Sequence, residues 1–206
     1  TNNNDFYWRS RIQEARMIRS RQQYPDAIAL FNNLLNYNEN SGFLWFEIAL
    51  VHEKLQQYVE SLQSINRALN LAPNNNTYRL TYARLLHESE DDKSAVKVLD
   101  NILKQRPNYV RALKLLSDIY QKSGENKKLL TIYKRLLELE SNNEILIYKQ
   151  AELLNQLSNH EAAQKSLITA LEIKPNFLDA RYLLASSYYQ SKAYQLGLQE
   201  VKNILQ

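Results

Sequence analysis

The sequence contains no cysteine. That excludes disulfides, thiolate metal centres and cysteine nucleophiles, and it leaves the compartment open. Three glycines and four prolines serve 206 residues, too few turn formers for a sandwich or barrel of many short strands. No apolar run approaches the roughly 18 residues of a membrane span. Charge of one sign is lacking too: 26 basic against 22 acidic side chains leave a net +4, which by itself marks no nucleic-acid surface. With 44% hydrophobic residues the chain can bury a core. It begins TNNND without an initiator Met, which reads as a chain from which an upstream piece has been removed, so no localisation is argued.

What the sequence does have is a period. ALNLAPN at 68–74 returns as ALEIKPN at 170–176, and ILKQRPN at 102–108 lies between them. Division at 34 residues from Trp8 gives repeats 8–41, 42–75, 76–109, 110–143, 144–177 and a shortened 178–206, with nothing inserted or deleted. A small residue recurs at Ala15, Ala49, Ala83, Ser117, Ala151 and Ala185. A second small column reads Ala27, Ser61, Ala95, Ala163 and Gly197, broken only by Leu129. Helices approach closely only where side chains are small. Four residues after the second column stand Phe31, Ile65, Leu99, Tyr133, Leu167 and Val201, one helical turn along the same face. Pro73, Pro107 and Pro175 fall where a second helix must end. Pro25 fits the first turn of a helix, Gly124 a turn, and Asn residues at 74–76 and 142–143 offer N-caps.

In the second repeat, Trp45, Ile48, Ala49 and His52 are followed by Tyr58, Ser61, Ile65, Ala68, Leu69 and Pro73. That order resembles the tetratricopeptide repeat (TPR), a helix-turn-helix unit of 34 residues. The resemblance covers about 200 of the 206 residues. It implies an all-α right-handed superhelical solenoid of six helix pairs, one TPR domain over 8–206 behind a lead-in at 1–7. One pair cannot bury its apolar face alone, so like pairs stack.

Signatures of catalysis are missing. The three glycines are spent on a helix start, a turn and a packing position, leaving no phosphate-cradling loop. His52, His87 and His160 lack metal-ligand spacing and read as structural or solvated. No G-x-S-x-G occurs. The acidic run HESEDDK at 87–93 lacks a calcium loop; in register it is a turn, with Asp91 or Asp92 capping the next helix. No enzyme activity, cofactor or metal is expected.

In the TPR family the first helix of each pair lines a concave groove through its second, fifth, ninth and twelfth positions. By register these are Arg9, Phe43, Thr77, Arg111, Ile145 and Asp179; Ile12, Phe46, Leu80, Lys114, Tyr148 and Tyr182; Arg16, Leu50, Arg84, Asp118, Glu152 and Ser186; and Arg19, Glu53, His87, Gln121, Asn155 and Tyr189. Phe43, Phe46, Leu50 and Leu80 would form one apolar patch flanked by Arg9, Arg16, Arg19 and Arg84, with Ile12 beside it. Arg111 and Lys114 would separate it from a tyrosine patch at Tyr148, Tyr182 and Tyr189. Large exposed apolar patches mark binding sites, and Tyr and Arg concentrate interface energy. The expected function is therefore a non-enzymatic protein-interaction scaffold, whose groove takes a partner peptide or helix with acidic and apolar groups. The positive track does not run on, because Glu47, Glu53, Asp118 and Glu152 interrupt it, so nucleic acid is not the expected partner. The two-carboxylate clamp of some TPR proteins does not fit either: Arg16, Glu47, Thr77 and Thr81 stand where it needs other residues. Two other readings stay open, a substrate-recruiting or regulatory arm of a larger enzyme or assembly and single-stranded RNA binding. At the far end Leu198, Ile204 and Leu205 would be partly bare, so either the natural chain continues past them or a second copy covers that uncapped end as a homodimer.

Overall fold

The structure, a computed structural model, describes residues 2–205, with side chains described from Tyr7 onward. Twelve α-helices and no strand occur among them. They are α1 (Asn2–Ser20), α2 (Tyr24–Tyr37), α3 (Gly42–Lys54), α4 (Tyr58–Leu71), α5 (Asn76–Glu88), α6 (Asp92–Gln105), α7 (Val110–Ser123), α8 (Asn126–Leu139), α9 (Glu144–Gln156), α10 (His160–Ile173), α11 (Leu178–Gln190) and α12 (Tyr194–Leu205). The expected lead-in is helical from Asn2, since no Pro or Gly interrupts residues 1–7. The chain divides into an N-terminal unit, Thr1–Pro107, and a C-terminal unit, Asn108–Gln206. No described helix is long and apolar enough to cross a membrane.

Every turn inside a pair has the same form. Gln22, Gln56, Glu90, Gly124, Ser158 and Lys192 carry positive φ at one register position, and only one of them is glycine. Just after each, an amide closes on the carbonyl five residues back, as in Gln57 to His52 at 2.9 Å and Asn159 to Leu154 at 2.8 Å. This left-handed closure satisfies helix-terminal carbonyls that would otherwise be orphaned. Between pairs, Ser41, Asn75 and Asn143 cap α3, α5 and α9 by accepting from the amides of Leu44, Thr77 and Leu146. Asp91 caps α6 through the Ser94 amide at 3.1 Å, and hydrogen bonding from the Ser94 hydroxyl first and its amide second holds the Asp91 carboxyl below the usual range.

The small columns are where helices meet. Ala15, Ala49, Ala83 and Ala151 are fully buried, as are Ala27, Ser61, Ala95 and Ala163. Ser61 Oγ donates to the Ala49 carbonyl at 2.7 Å across such a crossing. A Cβ on Gly197 would lie 3.2 Å from the Ala185 carbonyl oxygen, so α12 approaches α11 with no room to spare. Phe31, Ile65, Leu99, Tyr133 and Leu167 are buried over these contacts, whereas Val201 in the last repeat is exposed.

Candidate functional site

In the N-terminal unit the first helices α1, α3 and α5 present the basic and apolar residues singled out above. Arg16 and Arg19 stand one turn apart on α1, so both reach one neighbour on α3. That neighbour is Glu47, only 2% exposed. Arg16 Nε and Nη2 donate to its Oε1 at 2.8 and 2.6 Å, and Arg19 Nη1 donates to its Oε2. The Arg16 guanidinium also lies 4.8 Å from the centre of the Phe43 ring. On the other side of α3, Arg84 of α5 makes a two-pronged contact with Glu53, Nη2 to Oε2 at 2.8 Å and Nη1 to Oε1. These pairs correct the expectation that Arg16, Arg19 and Arg84 await acidic groups of a ligand: their charges already hold carboxylates of the chain itself. Fork-shaped guanidinium groups match carboxylates in this way, and a carboxylate as buried as Glu47 is stable only with such partners.

The apolar patch is also smaller than its sequence suggests. Phe46 stacks on Tyr78 with ring centres 4.9 Å apart, and Phe43 and Ile12 pack onto a buried core that includes Ala27, Phe31, Leu44 and Ile48. Phe43, Phe46, Leu50 and Leu80 are each half-buried. Leu50, Glu53, Lys54 and Arg84 join Arg19, Ser20, Gln22 and Tyr24 around a pocket of about 500 Å³. Arg9 is exposed on α1.

In the C-terminal unit α7, α9 and α11 present the corresponding face. Lys114 of α7 binds Glu140 at 2.9 Å, and that bond with the one from Asn143 lowers the Glu140 carboxyl below its usual range. Arg111 is exposed. On α11, Tyr182 and Tyr189 are 58% and 69% exposed, and Ile145 of α9 is 53% exposed. Tyr148 is half-buried against Phe177, with ring centres 5.2 Å apart. Burial first, then the nearby carboxylates of Glu152 and Asp179, push its hydroxyl above the ordinary tyrosine range. Glu152 of α9 and Asp179 of α11 thus both act electrostatically on Tyr148, and Glu152 acts on Tyr133 as well. The two carboxylates are exposed and make no hydrogen bond or ion pair among the described residues.

The histidines are structural. His52, His87 and His160 bond Gln57, Asp92 and Asn155 beside their turns. No group of acidic and histidine side chains suited to a metal ion occurs among the described residues.

Residues 27–144, more than half of the chain, match the family described as the cytochrome c-type biogenesis protein H TPR domain. Residues 148–203 match a further tetratricopeptide-repeat family. The chain belongs to the tetratricopeptide-repeat family. This TPR chain is 24% identical over 199 residues to intraflagellar transport protein 70A1 of Mus musculus, covering 93% of this chain and 30% of that protein. It is 23% identical over 122 residues to a TPR repeat-containing protein of Methanocaldococcus jannaschii, covering 59% and 21%. The TPR chain thus spans less than a third of the length of either relative. Among solved structures, the C-terminal part of a TPR repeat-containing protein from Cytophaga hutchinsonii is similar with a TM-score of 0.80 at 14% identity, covering 94% of this chain and 78% of that one. YrrB, described as a TPR protein with an unusual peptide-binding site, is similar with a TM-score of 0.64 at 18% identity, covering 82% and 88%. At such identities the likeness carries the fold alone.

Sequence reasoning placed Glu152 and Asp179 in the groove but did not single them out as site residues. Glu47 counted as an interruption of positive charge and a mismatch to the carboxylate clamp, although it is the buried centre of the N-terminal face. A usable signal was present: Arg16 and Glu47, like Glu53 and Arg84, stand 31 residues apart. That is one repeat less one helical turn, the offset at which successive first helices touch.

Proposed function

We propose that this TPR chain is a non-enzymatic scaffold that holds a peptide or helix of a partner protein against the face formed by its first helices. The observation that carries this reading is the exposure of Tyr182 and Tyr189, two turns apart on one side of α11, beside exposed Ile145 on α9. Rings of this size left in water on a soluble surface are characteristic of interaction sites. In the N-terminal unit the edges of Ile12, Phe43, Phe46, Leu50 and Leu80 add apolar surface, with Arg9 at its border. Arg16, Arg19 and Arg84 serve there as framework, fixing the first helices to one another. In the C-terminal unit Arg111, Lys114 and Tyr148 belong to the first-helix face of that unit. The peptide-binding site named for YrrB supports the same kind of use.

A second surface lies on α12, where Tyr194, Leu198, Val201 and Leu205 form an exposed stripe at helical spacing. The stripe is apolar along its whole length, so an antiparallel copy would meet it apolar to apolar, and we assign it to pairing between two copies of the chain. A light-scattering mass that stays monomeric at every concentration overturns that assignment.

The scaffold reading is tested by capture from native lysate with identification of the captured protein. The partner is expected to be lost on Tyr182→Ala/Tyr189→Ala and kept on Ile168→Ala, a change at an exposed residue of α10. Equal capture by all three forms moves the site off the first-helix face.

A further inference from the structure

We infer that the tyrosine face of α9 and α11 takes a partner segment in which a Lys or Arg stands beside apolar side chains. The inference rests on the scaffold reading and adds the chemistry of the ligand, with a charge opposite to the one the groove arginines suggest in sequence.

Asp179, Tyr182, Ser186 and Tyr189 fall within about 80° of one another around α11. Glu152 lies beside Tyr148 on the matching face of α9. The 31-residue offset that joins Arg16 to Glu47 and Glu53 to Arg84 also relates Tyr148 to Asp179. Two unpaired carboxylates thus border a run of tyrosine rings, one half-buried and two exposed. The rim has other charges: Lys149 lies one position round α9 from Tyr148, and Lys174 is held by Glu144 at 3.6 Å. Neither meets Glu152 or Asp179.

Aromatic faces attract cations, and a nearby carboxylate supplies the full countercharge. The unit already contains this arrangement twice, at Lys128 over Tyr120 with Glu125 and at Lys174 over Phe177 with Glu144. Lys174 Nζ lies 5.0 Å from the centre of the Phe177 ring while paired with Glu144. On the neighbouring Tyr148 side the rings and carboxylates are present and the cation is supplied by the partner. An acidic segment would instead set its charges against Glu152 and Asp179, which penalises encounter and complex alike. Tyr182 and Tyr189 are about 10 Å apart along the helix, a distance that an extended peptide covers in about three residues. Two apolar side chains at that spacing, with the basic residue between or next to them, match the face.

The test is selection of short random peptides displayed on phage, using the whole chain as target, followed by affinity measurement of the enriched peptides. Three forms are compared, each checked for helical circular dichroism: native, Glu152→Lys/Asp179→Lys, and Tyr182→Ala/Tyr189→Ala. All four altered residues are exposed, so the fold is expected to persist. The expected result is enrichment of Lys or Arg with apolar residues, and affinity that falls about ten-fold or more with either variant and weakens with salt. Neutral or acidic peptides that need Tyr182 and Tyr189 but ignore charge reversal overturn this inference and leave the scaffold reading standing. Peptides indifferent to both variants, or no enrichment at all, overturn both.

Discussion

In the N-terminal unit Arg16 and Arg19 reach across to Glu47, while in the C-terminal unit Glu152 and Asp179 reach no basic group among the described residues. The two faces come from the first helices of the same repeat. One closes its charges and half-buries its aromatic rings; the other leaves carboxylates and tyrosines in water. A repeat can thus spend its first helix on cohesion in some copies and on recognition in others. Exposure and ion pairing, not residue type, tell which use a copy makes.

The largest expected effect breaks the cohesive face. Arg16→Ala/Arg19→Ala leaves Glu47 buried without a countercharge, and urea denaturation should show a loss of about 3 kcal/mol. The second test separates the units by alkaline pH. Burial raises the hydroxyls of Tyr133, Tyr148 and Tyr188 in the C-terminal unit and of Tyr78 in the N-terminal one. A folded value above the unfolded one gives a contribution that is intact below about pH 10 and lost as pH rises through the folded value. Hydrogen exchange at rising pH should therefore show the C-terminal unit loosening first. The smallest effect belongs to the recognition face: Tyr182→Ala/Tyr189→Ala should stay within about 0.5 kcal/mol of the native stability. A much larger loss would mean that those rings hold the fold together, and the contrast between the units would fail.

The repeat was legible because packing repeats with it. Alanine columns, terminal prolines and capping residues each answer to contacts inside one helix pair or between adjacent pairs, and all reappear at 34 residues. The turns were legible only where glycine marked them, at Gly124; five others use Gln, Glu, Ser or Lys in the same left-handed conformation. Groove positions were legible as positions, but their state was not. Arg16 and Arg84 read as free cations because a column shows what lines a face and hides what stands beside it one turn away. Lateral neighbours decide whether a charge is satisfied, and for Glu152 and Asp179 they left it open.

Six turns with one backbone conformation make each helix pair exchangeable. A segment cut at equivalent turns of two repeats ends in the backbone conformation that its new neighbour expects, so duplication or deletion of a whole pair keeps the turn while changing which side chains meet across the seam. Gene-level change in this chain can therefore lengthen or shorten its reach in fixed steps. A shift by any other number of residues would rotate small residues out of the crossings, and the stack would come apart at that seam.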